Sequence, residues 1–171
     1  MIDELKNIEY VLFDLDGTVS DSSEGITKSA DKALKSEGIN VPFETLTSFI
    51  GPALRVSFGR YTDDVEKRDR MLDVYRERYS EKGWCENKIY PGMAELLRDL
   101  QKSGKHVVLA SAKPEYFCRK IIKYFGVEQY FDFIGGSDME GKRDDKTVLL
   151  TYVLDNIGNP RSDKIVMIGD R

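Results

Sequence analysis

The chain has 171 residues, 40% of them hydrophobic and 33% charged, with a formal net charge of −4. That length carries one good core and a small accessory unit, and the acidic balance excludes a basic surface for nucleic acid or an anionic membrane. Two cysteines, Cys85 and Cys118, exclude a disulfide framework or a zinc cluster, and the absence of a basic-then-apolar leader or a membrane-length apolar run points to a cytoplasmic protein.

In chain order, the first element is the apolar run YVLFDLD, Tyr10 to Asp16, which ends in two carboxylates. Paired like charges at the end of a buried strand repel and lose solvation, so a compensating cation is expected beside them. Next, from about Ser20 to Lys88, come two segments with helical period, EGITKSADKALKSEG and TDDVEKRDRMLDVYRERYSEKG. They flank the loop-prone NVPFETLTSFIGPALRVSFG, and no strong strand is present. This is too much chain for one crossover and predicts an inserted helical unit; extra helices on the sheet are the alternative. The helix PGMAELLRDLQKSGK follows, opened by Pro91 and closed by Gly104. Three more apolar runs, HVVLAS, FDFIGG and IVMIGD, alternate with helices in which Phe117, Ile121, Ile122 and Phe125, then Val148, Leu149, Tyr152 and Val153, share a face. The alternation predicts a doubly wound α/β fold with a parallel sheet.

Polar residues recur at the carboxyl ends of these strands, where ligands of open α/β sheets bind. They are Asp14 and Asp16, then Ser111, then Lys146 at the next helix start, and finally Asp170. A carboxylate can attack phosphorus, and a second one two residues on can protonate the leaving oxygen and then activate water. Gly17 allows close backbone approach to a phosphoryl group and Thr18 adds donors; Ser111 and a lysine can stabilise phosphoryl charge. Magnesium held by Asp14, a backbone carbonyl and Asp170 would place an anionic phosphate beside an anionic nucleophile.

FDLDGT, LASAK, Lys146 and MIGDR resemble the four ordered motifs of haloacid dehalogenase-superfamily phosphatases over essentially the whole chain. EGITKSADKAL, FIGPALRVSF, ENKIYPGM and GGSDMEGKRDDK further resemble the phosphoglycolate phosphatase-like and bacterial 5′-nucleotidase-like branch. The resemblance implies a core over 1–19 and 89–171 and a mobile helical cap over 20–88. It implies Asp14 as nucleophile, Asp16 as general acid/base, and Gly17, Thr18, Ser111, Ala112 and Lys146 around the phosphate. Metal contacts would come from Asp14, Asp16 and Asp170, with Mg2+ as the cofactor, and Gly51, Pro52 and Arg55 would face the substrate from the cap. The implied reaction is hydrolysis of a small phosphorylated metabolite, with no nucleic-acid or membrane partner. A nucleotidase, a phosphomutase and a receiver-like phospho-aspartate switch are the competing readings.

Lys142 rivals Lys146, which is preferred for its place at the helix start. Lys113 and Arg143 read as surface or rim charges, His106 as structural, and both cysteines as ordinary thiols. The chain stops just past Asp170 at the end of a parallel strand, so a crossover and a covering helix are expected beyond it; the resemblance implies a further acidic residue a few positions on, then more helix and strand, on the order of forty residues.

Overall fold

The computed structural model describes residues 6–140, 142–143 and 145–170. The elements in chain order are β1 (Tyr10–Phe13), β2 (Ser20–Asp21), α1 (Ser23–Ser36), a 3-10 helix (Phe43–Phe49), α2 (Leu54–Gly59) and α3 (Val65–Arg78). A π-helical turn (Tyr79–Gly83), β3 (Lys88–Ile89), α4 (Met93–Lys102), β4 (His106–Pro114), α5 (Glu115–Tyr124), β5 (Phe133–Ser137), α6 (Lys146–Asn156) and β6 (Ile165–Ile168) follow. They form two compact units, Met1–Ser20 with Ile89–Arg171 and Asp21–Lys88. β2 and β3 pair as a two-stranded ribbon where the chain passes from one unit to the other and back. None of the helices among the described residues is long and apolar enough to cross a membrane.

The first unit is a four-stranded parallel sheet of order β5-β4-β1-β6, an α/β fold. Val11, Leu12 and Phe13 are all buried, although alternate side chains point to opposite faces. Both faces of β1 are therefore covered, which explains a continuous apolar run rather than an alternating one. On one face Leu12, Val108 and Ala110 pack against Leu149 and Val153 of α6. The chain runs outward from β1 through β4 to β5, then returns to place β6 on the other side of β1. Strand order thus reverses at β1, and the carboxyl ends around it form the crevice in which such sheets bind ligands.

Two strand ends differ from the periodicity. β1 stops at Phe13 rather than Asp16, because Leu15 turns inward and accepts from the amides of Thr18, Val19 and Ser20 at 3.0–3.3 Å. β4 continues beyond Ser111 to Pro114, pairing with Ser137 after a register shift between Ser111 and Pro114.

The second unit is helical. α1 buries Ile26, Ala30, Ala33 and Leu34, one face at helical spacing, and packs against α3. Gly25 lies so close to Gly83 that an added Cβ would collide with the Gly83 carbonyl oxygen. The stretch read as loop instead holds the 3-10 helix and α2. Leu46, Phe49 and Phe58 anchor them in the core, with the Phe49 and Phe58 rings edge-to-face at 4.9 Å. Glycine and proline at their borders hid both pieces from a periodicity reading.

Candidate active site

Asp14 is the first residue past β1, and its amide donates to the Ile168 carbonyl of β6 at 2.9 Å, so the neighbouring strand fixes its backbone. Its Oδ1 accepts from the Leu15 amide at 2.7 Å, and the Ser111 hydroxyl from β4 also hydrogen-bonds the carboxylate. Burial raises the Asp14 pKa above the usual aspartate value, and the neighbouring Asp16 charge pushes the same way. Ser111, the Leu15 amide and the Lys146 ammonium oppose that rise. This is a partly buried pair of carboxylates whose charge is only partly offset.

The turn after Asp14 is built around Gly17, which has φ +81°. A Cβ there would lie 2.8 Å from Oδ2 of Asp170, so only glycine lets that carboxylate approach the turn. Within the turn, Oδ1 of Asp16 and Oγ1 of Thr18 are buried with no hydrogen-bond partner among the described residues. Ala112 is exposed at the open end of β4. Lys146 begins α6, whose N-cap Asp145 accepts from Thr147 and Val148 at 2.8 and 3.2 Å. Lys146 acts electrostatically on Asp14, whereas Lys142 is exposed and pairs with Glu140 at 2.5 Å.

Two residues differ from their sequence reading. Lys113 is not a surface charge: its side chain is 7% exposed and its Nζ lies 2.8 Å from Oδ2 of Asp16, itself 13% exposed. The only signal in the sequence was its place two residues after Ser111, before a proline. Arg143 is not a simple rim charge either. Its guanidinium lies 4.0 Å from the Tyr152 ring centroid, in a cation–π stack, and within 3.8 Å of both Glu115 and Asp138. His106 opens β4 as expected, stacked on Tyr10 and 2.8 Å from Asp132. Cys118 is buried and its thiol pKa is pushed far up by desolvation; Cys85 donates to the Lys82 carbonyl.

Gly51, Pro52 and Arg55 belong to the helical unit, where Arg55 pairs with Asp69 at 2.6 Å. Among the described residues no three His, Cys, Asp or Glu side chains group as a ready metal cluster. Oδ2 of Asp16 is already met by the Lys113 ammonium. A cation here would therefore draw on the carboxylates of Asp14 and Asp170 and on backbone oxygen. The incompletely offset charge of Asp14 and the approach of Asp170 to Gly17 both fit such a cation.

A parallel α/β sheet with paired aspartates, a strand-end serine and a helix-start lysine at its carboxyl edge defines a class of hydrolase centred on a carboxylate. The chain belongs to the haloacid dehalogenase-like hydrolases, whose family model matches residues 11–171. It is 39% identical over 163 residues to a 5′-nucleotidase of Pseudomonas aeruginosa, covering 94% of this chain and 73% of that protein. It is also 36% identical over 164 residues to the tyrosine-protein kinase PtkA of Mycobacterium tuberculosis. That match covers 95% of this chain but only 56% of the kinase, so the chain spans little more than half of that relative's length. The crystal structure of a predicted phosphatase from Clostridium acetobutylicum superposes with a TM-score of 0.90 at 42% identity, over 96% of this chain and 76% of that one.

Proposed function

We propose that the protein hydrolyses a small phosphomonoester through an aspartyl-phosphate formed on Asp14. The observation that carries this reading is convergence on one carboxylate: Ser111 from β4 hydrogen-bonds Asp14, Lys146 from α6 acts on it, and Asp16 stands beside it. Asp14 attacks phosphorus, while Ser111, Lys146 and the amides around Gly17, Thr18 and Ala112 hold the phosphoryl oxygens. Asp16 gives a proton to the leaving oxygen and later takes one from water. Mg2+ would be held by Asp14, Asp170 and the backbone carbonyl at Asp16, and would supply charge neutralisation between nucleophile and phosphate.

The helical unit would act as the cap that selects the substrate, with Gly51, Pro52 and Arg55 as its recognition residues; Arg55 would exchange Asp69 for a substrate anion. Similarity to a nucleotidase supports nucleoside monophosphates as substrates; phosphoglycolate and sugar phosphates are the other candidate monoesters, and a phosphomutase reaction is the competing reading. The reading places the protein in the cytoplasm, acting on a soluble metabolite with neither nucleic acid nor membrane as partner.

The test is phosphate release from a panel of these monoesters with Mg2+. Activity is expected on at least one, lost in EDTA and lowered at least about 10³-fold by Asp14→Asn. Near wild-type turnover by Asp14→Asn would exclude the covalent route. Phosphate passed to a protein tyrosine, or retained as a stable aspartyl-phosphate without turnover, would instead favour kinase or switch chemistry.

A further inference from the structure

Lys113 has no part in that scheme, yet it is among the most deeply placed charges of the sheet unit. Its Nζ holds Oδ2 of Asp16 at 2.8 Å, with 7% and 13% of the two side chains exposed. Three features put it there. β4 runs on past Ser111, with a register shift, to Pro114. Gly136 of β5 has no Cβ, and one built there would lie 2.6 Å from the Lys113 carbonyl oxygen and from the Glu115 amide nitrogen. The Cys118 thiol then donates to the same Lys113 carbonyl at 3.4 Å. The backbone of Lys113 is thus held from two sides. A buried ion pair is expensive to desolvate and seldom adds much net stability, so orientation is its better-founded use.

What it orients follows from the two oxygens of Asp16. Oδ2 is taken by Lys113, while Oδ1 is buried with no partner among the described residues. We infer that Lys113 is a positioning residue that dedicates Oδ2 to itself and leaves Oδ1 as the oxygen that transfers the proton. The inference rests on the phosphatase reading and deepens it. As Asp14 bonds to phosphorus and the bond to the leaving oxygen breaks, the proton on Oδ1 passes to that oxygen. The carboxylate so formed is met by the Lys113 ammonium. Water then attacks phosphorus, its proton goes to Oδ1, the Asp14–phosphorus bond breaks and phosphate leaves, restoring the start.

The experiment compares two phosphates in the Mg2+-loaded protein, an alkyl phosphate and 2,4-dinitrophenyl phosphate, by kcat/KM, which reports steps up to the first transfer. The alkyl leaving group needs a proton and the dinitrophenolate does not. Lys113→Met should lower kcat/KM for the alkyl ester on the order of 100-fold and for the aryl ester less than about 5-fold. Lys113→Arg should restore most of the difference, and it carries the kinetic comparison should the methionine variant fold poorly. Equal losses on both esters overturn the inference, since a purely structural or phosphate-binding lysine would produce them. A wild-type protein inactive on every monoester overturns the phosphatase reading itself. Independently of activity, a crystal structure of Lys113→Gln should show the Asp16 carboxylate turned away from its present position; an unmoved carboxylate overturns the inference.

Discussion

Two ion pairs of similar length show how differently the two units use charge. In the helical unit Arg55 meets Asp69 at 2.6 Å with 64% and 50% of the side chains exposed. In the sheet unit Lys113 meets Asp16 at 2.8 Å with both nearly buried. Water screens the first, which contributes no more than about 1 kcal/mol. The second is shielded, so removing either partner strands a charge and costs several times as much. Distance alone does not rank the pairs; burial does. The same contrast runs through the packing, since β1 is covered on both faces while α3 buries only Met71, Leu72 and Tyr75.

The contrast can be broken most severely at Lys146. Both lysines are exposed, but Lys146 at the start of α6 acts on the carboxylate of Asp14, whereas Lys142 in the preceding loop pairs with Glu140, so only the first is expected to matter to chemistry. Lys146→Met should lower turnover by about 10²–10³-fold, while Lys142→Met should stay near wild type. Steady-state kinetics on whichever monoester is turned over decides it, and the reverse ranking would assign the third motif to Lys142.

A second change sharpens the helical side. Helix propensity alone favours Gly25→Ala by about 1 kcal/mol. The new Cβ collides with the Gly83 carbonyl, and backbone cannot step aside as a flexible side chain can. The collision wins, and a net loss of roughly 2 kcal/mol is expected. Urea unfolding should show it; an unchanged or raised midpoint would mean that α1 and the π-helical turn are not packed so tightly.

The smallest effect lies at Asp14. Folding raises the Asp14 pKa above the ordinary aspartate value, chiefly by burial. The native state therefore holds this proton more tightly than the unfolded chain does. Stability falls as pH rises through the unfolded and then the folded pKa, and the full cost is present above both. Asp14→Asn removes that cost, so without metal the variant should be modestly more stable at neutral pH. Its advantage should shrink on acidification and vanish below the unfolded pKa, near pH 4. Thermal melts in EDTA at both pH values test this, and a variant less stable at neutral pH would contradict the sign.

Much of the sheet unit was legible because its signals are local. Continuous apolar runs marked the strands to within a few residues, and D-x-D-G-T placed Asp14 and Asp16 at a strand end. Ser111 and Lys146, each unremarkable alone, were singled out by their order along the chain, and both act on Asp14 in the fold. The helical unit was less legible. FETLTSF and LRVSFG are too short for a period to show, and their anchors Phe49 and Phe58 become core only because the surrounding helices enclose them.

By itself, then, the amino-acid sequence determined the α/β alternation, the family motifs and which carboxylates end the first strand, since each depends on residues close in the chain. Tertiary structure alone decided that Lys113 turns inward to Asp16 and that Arg143 stacks on Tyr152. The reason is physical: a charge's burial is set by what other strands and helices place around it. For Lys113 that is Gly136 on the neighbouring strand and Cys118 on the following helix, a condition no local pattern encodes.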